Sequence, residues 1–206
     1  MDLQPYGCDV NLRIGILGGT FDPPHIAHLA LAQAGIDQLQ LDEVIFMPVS
    51  RNPLKHKPIA TAKKRLEMTE ILLKDETRMA VSNLEMVRGG ASYAVDTLEE
   101  LQVAQPADYW FLVGADALKD LKQWKNLDRL LKLCRLAVAI RPPLTEADVR
   151  ARIPEEFKDK IDLIHMESME IASFEIRDRL ARNKPLGNMV PETVLDYIRQ
   201  NDLYRS

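Results

Sequence analysis

Short apolar segments alternate with longer amphipathic segments along most of the chain. The apolar runs have the length and composition of buried β-strands; they are residues 12–17, 43–49, 79–82, 109–113, 136–140 and 162–165. Elsewhere apolar residues recur at gaps of three and four, which predicts helices over residues 25–39, 61–74, 93–103, 126–133, 145–153, 174–182 and 191–201 and a short helical piece over 115–122. This alternation is typical of βαβ units and predicts an α/β fold with a doubly wound, mainly parallel sheet.

The length of the chain limits how many domains this pattern can build. A chain of 206 residues with 46% hydrophobic residues suffices for one domain with a substantial core. We predict an N-terminal extension over residues 1–11 and a single domain over residues 12–206, whose C-terminal part is helical from about residue 173. Arg141-Pro142-Pro143 and residues 184–189 are predicted loops, and we find no repeat, low-complexity tract or clear linker.

Charge and composition exclude several classes of partner. The formal net charge of −4 does not favour non-specific nucleic-acid binding. No apolar run approaches 18 residues, so we expect no membrane partner, and the N-terminus lacks the basic and apolar regions of a secretory signal. With only Cys8 and Cys134 a disulfide is not expected, which fits a reducing cytoplasm, and no cluster of His and Cys has structural-zinc spacing.

The most informative segment follows the first predicted strand. Residues 18–28 read Gly-Gly-Thr-Phe-Asp-Pro-Pro-His-Ile-Ala-His, so a strand leads into a glycine turn and then into a helix N-terminus. Pro23 and Pro24 suit a first helical turn, where a missing N–H has no cost. Free N–H groups next to glycines favour a phosphate site, and His25 and His28 are expected on one face of the first turn.

Two common nucleotide motifs are absent from the sequence. There is no G-x-x-x-x-G-K-[ST] segment, which argues against a P-loop NTPase. Gly15, Gly18 and Gly19 do not form G-x-G-x-x-G, which argues against a nicotinamide-dependent dehydrogenase.

The segment 18–28 resembles the signature of the HxGH-type nucleotidyltransferases, roughly G-G-T/S-F-D-P-x-H-x-G-H. One position departs from it, because Ala27 stands where the family has glycine. Alanine is tolerable there if the backbone is helical, and harmful if a ligand packs against the position of the glycine hydrogen. The resemblance implies a Rossmann-like α/β fold.

Later segments resemble the nicotinate-nucleotide adenylyltransferase branch of that family. Asn-Pro-Leu-Lys at 52–55, Ser-Tyr-Ala-Val-Asp-Thr-Leu at 92–98 and Gly-Ala-Asp-Ala-Leu at 114–118, followed by Trp124, match its patterns. Ile-Ala-Ser-Phe-Glu-Ile-Arg at 171–177 resembles its I-S-S-T-x-I-R, and the Leu203-Tyr204 ending matches its C-terminus, where we expect a packing role. The departures are Ala94 for Thr, Ala172 for Ser and Phe174 for Thr; the last removes a hydroxyl and is expected to narrow the site.

These matches imply roles for individual residues. As catalytic residues the resemblance implies His25, His28, Lys55 and Arg177. For ATP it implies Gly18, Gly19, Thr20, Phe21, His25, His28, Gly114, Asp116, Arg141, Ser173 and Arg177. For nicotinate mononucleotide it implies Gly19, Asp22, Lys55, Ser92, Tyr93, Thr97 and Trp124. In this scheme Ser173 is the N-cap of its helix, Asp116 accepts from ribose hydroxyls, and Trp124 stacks on the pyridine.

The implied reaction is transfer of AMP from ATP to nicotinate mononucleotide, with release of pyrophosphate. The attacking phosphate is already ionised, so the protein needs donors to phosphate rather than a base or a nucleophile. Mg²⁺ would be carried mainly by ATP, with no metal site of the protein. Pantetheine-phosphate or nicotinamide-nucleotide adenylyltransferase and a non-catalytic nucleotide sensor stay open as alternatives, as does a homo-oligomer.

Overall fold

A six-stranded parallel sheet forms the centre of the computed structural model, which describes residues 11–53 and 57–205. The strands are β1 (Arg13–Gly19), β2 (Glu43–Pro48), β3 (Met79–Val81), β4 (Asp108–Gly114), β5 (Cys134–Ile140) and β6 (Ile161–His165). Their order is β3-β2-β1-β4-β5-β6, and each neighbouring pair is parallel. This is the order of a doubly wound nucleotide-binding sheet, so the predicted fold class is confirmed.

Helices cover both faces of the sheet. They are α1 (Ile26–Leu39), α2 (Ala62–Leu72), α3 (Leu84–Arg88), α4 (Ala94–Ala104), α5 (Leu127–Leu133), α6 (Glu146–Arg150), α7 (Ser173–Ala181) and α8 (Glu192–Gln200). Two 3₁₀ helices span Ala115–Gln123 and Glu155–Lys160. The six predicted strands and the predicted helices occur with small differences at their ends. The short α3 and the second 3₁₀ helix were not predicted, because so few residues show no apolar period.

Two hydrophobic clusters hold the helices to the sheet. On one face α1, α2, α7 and α8 bury Ile36, Met68, Ile176 and Val194. On the other face α4 and α5 pack with Val95, Leu98 and Leu130 among the strand side chains. The C-terminal helices thus share the cluster of α1 and α2. The single domain over 12–206 stays a prediction, and most of the expected extension lies outside the described residues.

The first turn of α1 differs from the prediction. The helix begins at Ile26, and His25 is its N-cap with an extended backbone, so Pro23 and Pro24 precede the helix and do not form its first turn. The histidine pair fixes the start of the helix at this point, because the N–H of His25, the N-cap residue, donates to Nδ1 of His28 in the first turn. Ala27 is the second residue of the helix, so the helical backbone in which alanine is tolerable is present, and Ala27 also lines the cavity described below.

A polar cluster joins β4, β5 and β6, the last three strands of the sheet. The carboxylate of Asp162 accepts from Nε1 of Trp110 at 2.8 Å and from Nε and Nη2 of Arg135 at 2.6 and 2.8 Å. The guanidinium of Arg13 lies 4.4 Å over the Trp110 ring. This carboxylate therefore links β4, β5 and β6.

We predict that Asp162→Ala lowers the free energy of unfolding by about 1–3 kcal/mol, because it leaves three part-buried N–H groups, one of Trp110 and two of Arg135, without this acceptor. Urea unfolding measures the change. The control is Asp178→Ala, which breaks an exposed pair with Arg182 and is expected to cost no more than about 0.5 kcal/mol. Equal losses in both variants would contradict the proposed link between the strands.

Candidate active site

A cavity of about 1030 Å³ opens at the carboxyl ends of β1 and β4. Chain order reverses here, because β2 lies on one side of β1 and β4 on the other, and parallel α/β sheets bind ligands at such a point. Segments that are distant in the sequence form the walls and bring together most of the predicted site residues. These are Gly18, Gly19, Thr20, Phe21, Asp22, His25, His28, Ser92, Tyr93, Gly114, Asp116, Trp124, Arg141, Ser173 and Arg177.

The glycines that end β1 admit aromatic rings. A Cβ on Gly18 would lie 2.9 Å from the ring of Phe111, and one on Gly19 would lie 2.7 Å from the ring of Phe21. Phe21 has a φ of 51°, a left-handed backbone that bulky residues rarely adopt, and its ring packs edge-on against His28. At the end of β4, a Cβ on Gly114 would meet nothing within 4 Å, so this strand end faces open space.

The two histidines form a stacked pair at the start of α1. Their ring centroids lie 3.7 Å apart with an angle of 26° between the planes. Because Nδ1 of His28 accepts the N–H of His25 at 3.2 Å, the neutral His28 ring carries its proton on Nε2. The predicted adjacency of His25 and His28 is confirmed, and both residues line the cavity wall.

His25 is buried and electrically neutral at physiological pH. Only 5% of the residue is exposed, and burial lowers the pKa of its imidazole to about 4. Its Nδ1 and the hydroxyl of Thr20 are buried atoms that find no hydrogen-bond partner within the described residues. Buried polar atoms are rarely left unsatisfied, so two such atoms in one cavity wall indicate that a polar ligand completes their bonding.

The carboxylate of Asp22 forms its hydrogen bonds within the protein and does not point to a ligand in the cavity. Its carboxylate accepts from the N–H of Ile59 at 2.9 Å, from the N–H of Ala60 at 3.0 Å and from the hydroxyl of Tyr204 at 2.7 Å. Asp22 is 3% exposed. The residue implied as a nicotinate-nucleotide contact therefore lies in the cavity wall as an internal acceptor, which the motif alone does not reveal.

The start of α7 also differs from the prediction. The helix begins at Ser173 with Ala172 as its N-cap, so Ser173 is not the capping residue. The Ser173 hydroxyl donates instead to the carbonyl of Pro23 at 2.9 Å. Arg177, one turn later, donates to the carbonyl of Asp22 at 2.7 Å and lines the cavity. Phe174 is 70% exposed and lines the cavity, and the expectation that its ring narrows the site stays a prediction.

Thr97 is not placed as a substrate contact. Its side chain is fully buried and does not line the cavity; its hydroxyl lies 2.6 Å from a carboxylate oxygen of Glu85 and accepts from Arg88 at 2.8 Å. The reason is helix geometry, because Thr97, the fourth helical position after the Tyr93 cap, faces the core. Ser92 lines the cavity, and its hydroxyl accepts the N–H of Ser50 at 3.0 Å, which joins β2 to the start of α4.

An aromatic wall closes the side of the cavity near α4. Trp124 meets Phe111 edge-on with centroids 5.6 Å apart, and both line the cavity. Tyr93 lies beside them, with the ammonium group of Lys125 4.6 Å from its ring. Flat apolar faces beside a cation suit a planar heterocycle. Sequence reasoning missed Lys125, although it directly follows Trp124.

Asp116 and Arg141 form an exposed polar pair at the ends of β4 and β5. Arg141 donates to Asp116 at 3.1 Å, and Lys119 donates to the same carboxylate at 3.2 Å. The Lys119 bond, helped by Arg141, lowers the pKa of Asp116, so it is an ionised acceptor. This is the character that binding of ribose hydroxyls requires.

The segment after β2 borders the cavity through Asn52, Pro53 and Lys57. Lys55, the implied phosphate contact, lies outside the described residues. Lys57 stands two positions after Lys55 in the sequence and was not singled out from it. Sequence reasoning also missed an apolar wall before α7, formed by Met166, Met169 and Ile171. Buried Glu85 lines the cavity as well.

Within residues 11–53 and 57–205, no group of three or more His, Cys, Asp or Glu side chains has the arrangement of a metal site. Over the same residues, no helix is both long and apolar enough to cross a membrane.

Comparison with known proteins defines the class. The cytidylyltransferase-like family matches residues 16–179, which contain the glycine turn, both histidines and the start of α7. Together with the six-stranded sheet, this match defines a nucleotidyltransferase with a Rossmann-like fold.

Individual relatives narrow the class. The chain is 38% identical to a probable nicotinate-nucleotide adenylyltransferase of Herpetosiphon aurantiacus, over 93% of this chain and 98% of that protein. It is 38% identical to one of Moorella thermoacetica, over 94% and 92%. A Plasmodium falciparum nicotinic acid mononucleotide adenylyltransferase complexed with NaAD has the same fold, with a TM-score of 0.77 at 19% identity over 94% and 97% of the chains. The chain belongs to the nicotinate-nucleotide adenylyltransferase family.

The buried neutral His25 predicts a pH dependence of stability. Unfolding restores an ordinary pKa near 6.5, so the unfolded chain takes up a proton between pH 6.5 and 4 while the folded chain does not. We therefore expect the free energy of unfolding to fall by about 2 kcal/mol from pH 7.5 to pH 4.5 through this group. Urea unfolding at the two pH values measures it.

The matched variants are His25→Gln and His165→Gln, the second in an exposed side chain. The fall with pH should shrink by about 2 kcal/mol in His25→Gln and persist in His165→Gln. An unchanged fall in His25→Gln would show that His25 is not held neutral by burial.

Proposed function

We propose that this protein transfers AMP from ATP to nicotinate mononucleotide and releases pyrophosphate. The observation that carries the proposal is the stacked His25–His28 pair at the start of α1, in the wall of a cavity where buried polar atoms lack partners. The family membership and the names of the relatives support the same reaction.

The proposed chemistry needs positioning and donors. A phosphate oxygen of the mononucleotide attacks the α-phosphorus of ATP, the new P–O bond forms, and the bond to the β-phosphate breaks, with its electron pair leaving on pyrophosphate. The attacking oxygen is already anionic, so no base is required. Neutral imidazole donors and the cationic Arg177 oppose the charge that develops on the phosphates. We propose Lys55 as a further contact to phosphate.

Nucleotidyltransferases generally use a divalent metal with ATP, and here we propose Mg²⁺, bound as the ATP complex. The described residues offer no cage for the ion, so ATP phosphates and water would supply its ligands. Bound there, it would draw negative charge from the phosphate oxygens.

The two ends of the cavity suit the two nucleotides. We propose that Asp116 and Arg141, next to Gly114, bind the ribose of ATP, while Trp124, Phe111 and Tyr93 bind the pyridine.

The start of α4 favours nicotinate as the acceptor. α4 begins at Ala94, and its N-cap residue makes no side-chain capping bond to the first N–H groups of the helix beside that aromatic wall. A helix N-terminus favours an anion, which supports nicotinate over nicotinamide despite the missing threonine hydroxyl at Ala94.

The same site also bears on the alternative functions. Adenylyl transfer to pantetheine phosphate would not require the aromatic wall, because that acceptor has no planar ring to pack against it. The non-catalytic sensor was motivated by a blocked triphosphate site, but Phe174 lies exposed at the rim. A pyrophosphate-release assay with ATP, Mg²⁺ and each phosphate-bearing acceptor separates these functions. Release only with nicotinate mononucleotide is expected, and nucleotide binding without release would support the sensor. A homo-oligomer and a cytoplasmic location stay predictions.

We predict that His28→Ala lowers kcat by about a hundred- to a thousandfold, because one preorganised donor to developing charge contributes roughly 2.7–4 kcal/mol. Steady-state release of pyrophosphate measures kcat, and circular dichroism checks that the chain folds. His165→Ala is the control. A kcat near that of the wild type would remove His28 from the chemistry.

A second prediction concerns the family threonine that Phe174 replaces. We expect Phe174→Thr to lower the KM for ATP about three- to tenfold, because it restores a hydroxyl donor near the phosphates. Phe174→Val introduces a side chain with the shape of threonine but without its hydroxyl. This variant should leave the KM for ATP closer to that of the wild type. If both variants gave the same KM, the site would be using other donors.

A further inference from the structure

The hydroxyl of Tyr204, near the end of the chain, reaches the first turn of the site. It donates to Oδ1 of Asp22 at 2.7 Å, and both residues are buried. Burial beside the Asp22 carboxylate raises the pKa of Tyr204, so its hydroxyl keeps the proton that it donates. Tyr204 also has a φ of 62°, which bulky residues rarely adopt, so its contacts hold it in place.

Three donors occupy the Asp22 carboxylate. Oδ2 accepts the N–H of Ile59, and Oδ1 accepts the N–H of Ala60 and the hydroxyl of Tyr204. A carboxylate has about four acceptor positions. Most of the bonding capacity of Asp22 is therefore taken before any arginine approaches it.

Two arginines face this carboxylate, and they lie in different places. Arg65 is 1% exposed, donates to the carbonyl of Thr20 at 2.7 Å and interacts with the charge of Asp22. Arg177 lines the cavity; its Nη1 is 2.7 Å from the main-chain oxygen of Asp22 but 3.9 Å from Oδ2. Arg65 offsets the buried negative charge, and Arg177 does not form a close bidentate pair with it.

We propose that Tyr204 is a positioning residue for triphosphate binding: its bond to Asp22 keeps the carboxylate from closing on Arg177, so that the guanidinium stays available to an anion in the cavity. Without the hydroxyl, Oδ1 keeps only the N–H of Ala60. The carboxylate then satisfies itself by closing on Arg177, which competes directly with phosphate. This inference rests on the proposed use of ATP and adds the C-terminal end of the chain to its phosphate site.

Calorimetry with inorganic tripolyphosphate tests this proposal without the transfer reaction. We expect Tyr204→Phe to bind tripolyphosphate about tenfold more weakly than the wild type, since one charge-assisted hydrogen bond is weakened. The matched control is Tyr197→Phe. Tyr197 lies on α8, does not line the cavity, and has a hydroxyl that is likewise bonded to a carboxylate, that of Glu67. This control should bind within about twofold of the wild type.

The same measurement in Arg177→Ala separates positioning from general loosening. If Tyr204 acts through Arg177, adding Tyr204→Phe to Arg177→Ala causes no further loss. An unchanged affinity in Tyr204→Phe, or an equal loss with and without Arg177, would overturn the proposal. If Tyr204→Phe is unfolded at the assay temperature, all variants are measured in trimethylamine N-oxide, which favours the folded state.

The proposed function and this inference fail differently. A wild-type chain that binds tripolyphosphate but forms no dinucleotide would contradict the proposed reaction and leave the role of Tyr204 testable. A wild-type chain that makes the dinucleotide, with identical tripolyphosphate binding in Tyr204→Phe, would contradict only the inference.

Discussion

The site depends on how the chain turns between β1 and α1. β1 lies at the centre of the sheet, and its carboxyl end meets that of β4 where the chain order reverses. The turn has to deliver a helix N-terminus to this point while leaving open space above Gly114. It does so because His25 caps the helix through His28, and because Gly18 and Gly19 leave room for the rings of Phe111 and Phe21. A helix N-terminus at such a point suits an anion, which is why we propose it as the phosphate site.

Charge in this site is divided between neutral and cationic donors. His25 is neutral because it is buried, and its ring contributes a directed bond rather than a charge. Arg177 supplies the positive charge, while Arg65 offsets Asp22 beneath the site. Arg177 lies 3.9 Å from Oδ2 of Asp22 and lines the cavity, so its guanidinium is the cation that we propose for the triphosphate.

Much of this could be predicted from the sequence, and the exceptions share a physical cause. The strands and main helices follow apolar periodicity, so the sheet and the cavity were predictable. Contacts between residues distant in sequence were not. Ser173 was expected to cap its helix, yet it bonds to Pro23, 150 residues earlier. Thr97 faces Glu85 in the core, and Tyr204, expected only to pack, bonds to Asp22.

A crystal structure of the protein with a nonhydrolysable ATP analogue would show directly which residues hold the phosphates. We expect the phosphates to lie against His25, His28 and Arg177, with the ribose toward Asp116. Phosphates bound elsewhere in the cavity, with both imidazoles turned away from any phosphate oxygen, would contradict this expectation.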